Sequence, residues 1–319
     1  MAGTVSLAGA AFRRAGLFFI LAPEMINATL YAVSVLIWGT TWLAVTFQLG
    51  VVPVEQSVAY RFLLAGALLL GYCLLRGRSL SLSFRDHLFV ALQGLCLFCV
   101  NYVLFYASNA YLHSGLLAVV FSTLLLMNVV TGAIFLGARI SRRVVAGGLV
   151  GLAGMALLFR QELHHFDLQS GGARGLLLSL IATVVVSIGN ITSARNQRAG
   201  ISVTVSNGLG MAYGGVMTLA FALTKGAPFV FEWTFRYGAS FLFLVVFGSI
   251  VAFGTYLTLL GRIGADRAAY AMVLFPVIAL VLSTIYEGYQ WTAHGVAGVA
   301  LILAGNVIVL LWKRRSAGA

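Results

Sequence analysis

The sequence predicts an all-α membrane protein of ten transmembrane helices, built as a 5+5 inverted repeat. Three observations carry that prediction. Apolar runs of membrane-spanning length follow one another along the chain, basic residues gather on alternate sides of them, and the second half repeats the register of the first. Of 319 residues, 61% are hydrophobic and 9% charged, with a mean hydropathy of +1.00. Soluble domains carry about 25% charged residues, so most of this surface must face lipid.

Runs of about 17–25 apolar residues are long enough to cross hydrocarbon. They lie near 27–48, 54–75, 87–109, 114–137 and 143–159, then near 174–194, 202–224, 237–260, 267–287 and 291–312. The most polar stretch, RQELHHFDLQSGG, falls between the two sets, and residues 161–173 read as a linker between a first repeat, 27–160, and a second, 174–312. Residues 1–26 read as an N-terminal extension. Arg13 and Arg14 there precede an apolar stretch, AGLFFILAP, that is too short to span and is followed by no clear cleavage site. Residues 313–319 form a basic tail.

The loops on one side hold fifteen of the twenty Lys and Arg residues. The other side holds Arg160, Arg174, Lys225 and Arg236, and Arg61 lies within a span. The positive-inside rule makes the first side cytoplasmic, with both termini there, in a bacterial-type inner membrane. The net charge of +12 is accounted for by topology, so no nucleic-acid partner is expected. The expected partners are the lipid bilayer and a small-molecule substrate. Five plus five spans suffice for a pathway in a monomer or weak homo-oligomer.

A shift of 151 residues brings the later part of each half into register. Leu152-Ala153-Gly154 falls on Leu303-Ala304-Gly305, Gly147 on Gly298, Gly137 on Gly288, Ala118 on Ala269, Phe105 on Tyr256 and Tyr102 on Phe253. Because five is odd, the second copy enters the membrane inverted. Inverted repeats belong to alternating-access transporters, whose substrate site lies near midplane where the halves meet.

The segments PVEQSVAYRFLLAGALLL, AIFLGARIS, GGLVGLAGMALL, FGSIVAFGTYLTLLGRIGADRAAY and FPVIALVLSTIYEGYQWT resemble the drug/metabolite transporter superfamily with its paired EamA-type domains. The resemblance runs from about residue 27 to 312, and the layout looks most like bacterial exporters of amino acids and related metabolites. It implies such an activity here. Two positions depart from the pattern. Leu125 stands where the resemblance implies a proline in span four, while Pro276 is kept in span nine, so span four is expected to be the straighter. Ala138 stands where a glutamate is common, so no role transfers to that position; Glu287 beside Gly288 is its counterpart.

Polar and aromatic residues within spans mark the candidate site. Ser179, Thr183, Ser187 and Asn190 share one face of span six. Span one offers Ser34, Trp38, Thr41 and Trp42; span three Asn101, Tyr102, Phe105 and Tyr106; span eight Ser249 and Tyr256. Trp38, Thr41, Trp42, Asn101, Tyr102, Tyr106, Ser187, Asn190, Ser249 and Tyr256 form the candidate substrate-binding set, an aromatic and mostly uncharged lining suited to an amphipathic solute. The competing reading is interhelical hydrogen bonding and bonding of Ser and Thr to their own helix.

Arg61, Leu125, Pro276 and Glu287 form a gating or structural set. Arg61 lies six residues past Glu55, roughly 9 Å into the membrane, where burial costs about 2.5–3.5 kcal/mol. It can snorkel, pair with a carboxylate, or meet a substrate carboxylate. The GxxxG pairs Gly147/Gly151 and Gly210/Gly214 read as packing positions, and Cys96 and Cys99 as small core residues rather than a metal or redox site.

No Walker A loop accompanies Lys225 or Lys313, and no acid lies near the middle of a span. Facilitated diffusion is therefore expected before proton coupling, with no cofactor and no enzymatic activity. The alternatives are a proton-coupled efflux carrier through Glu287 or a histidine, and a non-transporting sensor or scaffold.

Overall fold

The structure is a computed structural model that describes residues 3–48, 50–112, 114–164, 171–226, 228–286 and 290–310. Among the described residues, each of the ten apolar windows is helical over most of its length. α1 (Gly3–Thr46) holds the first window and runs back over the N-terminal extension. α2 (Val54–Leu75) coincides with the second. The third is α3 (Phe84–Leu95), a π-helical turn at Cys96–Val100, and α4 (Asn101–Asn109). The fourth is α5 (Ser114–Ser122) with α6 (Leu124–Leu136), and the fifth α7 (Arg142–Leu158), followed by the short α8 (Arg160–His164).

The second half holds α9 (Ala173–Arg198) and α10 (Val203–Thr224). Next come α11 (Phe235–Phe243), a π-helical segment at Leu244–Val251, and α12 (Ala252–Ile263). α13 (Ala265–Ala268), α14 (Ala271–Tyr286) and α15 (Ala293–Leu310) complete the described chain, which contains no strand. Among the described residues, seven helical stretches are long and apolar enough to cross a membrane by themselves. α7, of 17 residues, α10 and α15 are the remainder.

Short loops end in side-chain caps. Ser83, Ser141, Ser202 and Thr234 accept from the backbone N–H groups of Asp86, Val144, Val205 and Tyr237, which satisfies one otherwise orphaned donor at the start of each of α3, α7, α10 and α11. Gly137, at φ 62°, takes the left-handed conformation that stops α6.

The helix pairing has two-fold character. α7 lies along α15 and α2 along α10, each pair joining corresponding helices of the two halves. α4 and α6 pack on α9 as α12 and α14 pack on α1. The 151-residue shift also carries the π-turn at 96–100 onto 247–251, within the second π-segment. Small residues make the pairs close. A Cβ on Gly154 would lie 2.7 Å from the Gly298 carbonyl oxygen, and one on Gly298 would lie 2.7 Å from that of Gly154. Gly147 faces Gly305 and Val309, Gly151 the Tyr270 hydroxyl, and Gly214 Phe98 and the Gly94 carbonyl, so the GxxxG pairs serve packing.

Span four, like span nine, is interrupted despite its missing proline. It breaks at Thr123, two residues before the buried Leu125. The Ser122 hydroxyl donates to Ala118 O at 2.8 Å and that of Thr123 to Val120 O at 2.6 Å, so side-chain hydroxyls serve the backbone where the helix is interrupted. Span nine breaks as well, between α13 and α14, and carries Pro276 within α14.

Contacts at the two ends of the bundle join residues that the charge count assigns to the same side. On the basic face Arg195 meets Asp86 at 2.7 Å and Arg262 Nε donates to Asn27 Oδ1. On the opposite face Arg160 bonds His294 at 2.8 Å, and Gln56 Nε2 donates to Pro228 O at 2.9 Å.

Candidate substrate-binding region

The centre of the bundle is lined by a chain of aromatic rings. Tyr102 meets Phe62 at 5.1 Å between centroids, and Phe62 meets Phe98 at 5.1 Å. Phe98 meets Phe253 at 4.9 Å, Phe253 meets Trp38 at 5.2 Å, and Trp38 meets Tyr256 at 5.1 Å. Four of these contacts are edge-on, the arrangement that ring quadrupoles favour. The chain runs through α1, α2, span three and α12, so it crosses between the repeats.

At one end of this chain sits Arg61, buried on α2 with 8% exposure. Its Nε donates to Ser249 Oγ at 2.7 Å. The Ser249 hydroxyl in turn donates to Leu244 O at 3.0 Å, five residues back, a partner that the π-segment presents. The guanidinium carbon lies 5.3 Å from the Phe62 ring centre and 5.9 Å from that of Tyr102, and Tyr106 stands within its electrostatic reach. Thr41 donates to Trp38 O at 2.7 Å and turns its methyl group toward Gly248, beside Arg61.

At the other end Asn190 Nδ2 donates to the Tyr256 hydroxyl at 3.1 Å, and Asn128 Nδ2 to Ala265 O at 3.0 Å. The side-chain oxygens of Asn101, Asn128 and Asn190 are buried without a hydrogen-bond partner. Such groups are costly in a membrane interior unless something donates to them. Asn128 also lines a cavity of about 420 Å³ on the basic face, between α6, α9, α12 and α13, with Arg139, Arg198, Arg262 and Asp266 at its wall.

The structure thus brings Trp38, Tyr256 and Asn190 into one contact network, and Arg61, Ser249, Tyr102 and Thr41 into another about 10 Å away, the rise of the seven residues from Ser249 to Tyr256. Ser187 is fully buried and pairs with Thr131 of α6 at 2.7 Å, a helix-to-helix bond. Ser179 and Thr183 serve their own helix through Leu176 O and Ser179 O. Trp42 lies on α1, and its side chain is outside those described; Glu287 lies outside the described residues.

Sequence reasoning missed Asn128, a lone amide in an apolar run, and two polar clusters at span ends. On the basic face Gln93 Nε2 donates to Asn207 Oδ1 at 3.1 Å, and Asn196 Nδ2 to Gln93 Oε1 at 3.0 Å. On the opposite face Gln48 Nε2 donates to Tyr237 O at 3.0 Å and to Ser240 Oγ at 2.5 Å, and Ser57 Oγ donates to Gln48 Oε1 at 3.0 Å.

Asn128 offers a test that separates site from scaffold. Asn128→Leu removes an unpartnered acceptor, while Ala265 O keeps its backbone donor from Ala269. Unfolding stability is expected to hold or rise by about 1 kcal/mol while transport falls. Thermal unfolding beside liposome flux checks this, and a stability loss above about 2 kcal/mol would refute it.

Two pseudo-symmetric helical halves enclosing a lined cavity within lipid make the architecture of a membrane transporter. The chain belongs to the EamA-like transporter family, whose model matches residues 25–160 and 173–311. It is 28% identical over 277 residues to the uncharacterized inner membrane transporter YedA of Escherichia coli K12, covering 84% of this chain and 87% of that protein. It is 22% identical to protein PagO of Salmonella typhimurium LT2 over 282 residues, covering 88% and 92%, and 26% identical to the uncharacterized transporter YoaV of Bacillus subtilis 168 over 284 residues, covering 88% and 96%. A solved crystal structure shares the fold, with a TM-score of 0.74 at 21% identity, over 92% of this chain and 99% of that one.

Proposed function

We propose that this membrane transporter is a secondary carrier that exports amino acids or similar small metabolites across the cytoplasmic membrane. It works by alternating access and facilitated diffusion, with all ten helical windows crossing the bilayer and both termini cytoplasmic. The observation that carries the reading is the set of buried, unpartnered amide oxygens of Asn101, Asn128 and Asn190, together with the Trp38–Tyr256 ring pair that Asn190 meets. Such acceptors suit a solute with ammonium or hydroxyl donors, and the rings suit its apolar part.

The cavity bounded by Arg139, Arg198 and Arg262 reaches Asn128 from the basic face, which on the positive-inside rule is the cytoplasmic one. The described carboxylates, Glu24, Glu55, Asp86, Glu232 and Asp266, lie at or beyond span ends, which favours diffusion over proton coupling.

Counterflow of radiolabelled amino acids into liposomes tests the reading. The wild-type chain is expected to give saturable uptake, and a Trp38→Ala, Asn101→Ala double variant to lose most of it, a fall of tenfold or more for a lost ring surface and a buried acceptor. Wild-type uptake no faster than that of empty liposomes would transfer support to a sensor. Flux driven uphill by an imposed proton gradient would replace the uniport reading with a coupled one.

A further inference from the structure

We propose that Arg61 binds the carboxylate of the transported solute, so that the carrier selects organic acids and zwitterions over neutral and cationic analogues; this rests on the carrier reading. A guanidinium has five N–H donors. Arg61 commits one of them, at Nε, to Ser249 Oγ, and none of its four terminal N–H groups meets a hydrogen-bond acceptor among the described residues. No ion pair involves it among those residues either.

Its place is fixed rather than adaptable. Ser249 is held by its bond to Leu244 O within the π-segment, and the rings of Phe62 and Tyr102 stand beside the guanidinium. A structural arginine in lipid satisfies its charge with a carboxylate, a set of carbonyls, or water reached by snorkelling. Here, with 8% exposure, Nε is anchored and one terminal nitrogen lies against Gly248, while the terminal N–H groups keep unused donors whose fork matches a carboxylate with two parallel hydrogen bonds. Thr41 of α1 and Tyr102 of α4 stand beside the guanidinium, so a bound acid would lie between α1, α2 and α4, with Ser249 behind the arginine.

The unpartnered amide oxygens are acceptors, and Arg61 supplies only donors. With the networks about 10 Å apart, a solute that meets both carries its carboxylate at Arg61 and a donor at the far end of its side chain, since an α-ammonium stays beside the carboxylate. A permanent cation meets repulsion at Arg61 instead.

The test uses the full-length chain in nanodiscs, with thermal stability and tryptophan fluorescence as readouts. Probes are the common amino acids and simple aliphatic and aromatic monocarboxylates, each beside its own carboxamide. At least one acid is expected to bind tenfold or more tightly than its amide, as for a lost charge-assisted pair. Arg61→Gln is expected to abolish that preference and Arg61→Lys to keep part of it. Equal binding of acid and amide, undiminished acid binding by Arg61→Gln, or no acid in the panel that binds would each overturn the proposal. If Arg61→Gln fails to fold, the wild-type comparison of acid with amide decides. Saturable counterflow without acid preference removes the carboxylate site and leaves the carrier. Acid binding without counterflow does the reverse.

Discussion

Gly94→Ala is expected to destabilise the bundle by about 1–3 kcal/mol, whereas Gly71→Ala, elsewhere in the same half, is expected to stabilise it by about 0.5–1 kcal/mol. Both substitutions add one methyl group to a helical glycine. At Gly94 of α3 that methyl would overlap the carbonyl oxygen of Gly210 on α10, with the Gly210 Cα 3.1 Å away. These neighbours are backbone atoms of a packed helix and have no rotamer to change. At Gly71 of α2 nothing lies within 4 Å, so the added methyl only restricts the unfolded chain. Thermal unfolding of the two variants in one detergent decides the matter. Equal shifts would mean that the α3–α10 approach is looser than described.

Gln93→Leu is the second large effect, a loss of about 2–4 kcal/mol from two newly unpaired groups. Leucine fills much of the glutamine's volume, but it strands the Asn207 oxygen and one Asn196 donor, and both residues are buried. Asn196 Oδ1 still accepts from Arg195 at 3.2 Å, so the loss falls on the amide cluster and not on the neighbouring ion pair. A double-mutant cycle with Asn207→Leu gives the coupling directly. If the single variants and the double add independently, the cluster contributes nothing beyond packing. By contrast Asp86→Asn touches a solvent-screened pair at the end of the bundle, so a far smaller loss is expected.

The helices were legible in the sequence because lipid demands them: an apolar window of given length has one backbone solution. Val54–Leu75 coincides with its window for that reason. α10 shows the limit. Ser206, Asn207, Gly208 and Gly210 lower its hydropathy because it packs against α2 and α3, so it is not apolar enough to stand as a span alone. Residues that meet at the candidate site were legible where a ring or amide interrupts an apolar run, as at Trp38, Asn190 and Tyr256.

The span-six stripe mixed two roles that spacing alone does not separate. Asn190 reaches across to Tyr256, while Ser179 and Thr183 serve their own helix. Gln48, Gln93, Asn196 and Asn207 were invisible because polar residues at span ends are ordinary. The Arg61–Ser249 bond joins residues 188 apart, and it depends on a π-segment that shifts which side chains share a face; a period of 3.6 does not foresee that shift.

The approximate two-fold relation of the halves has a thermodynamic consequence. Under the proposed alternating access, identical repeats would make a form open on one face and its counterpart open on the other a degenerate pair, each half-populated. On that reading, positions where the repeats differ, such as Leu125 against Pro276 and Asp86 against Tyr237, set the occupancies apart. Each difference of about 1.4 kcal/mol tilts the ratio tenfold. These mismatched pairs act as counterweights on a balance, and a substitution at one end of the molecule is weighed at the other.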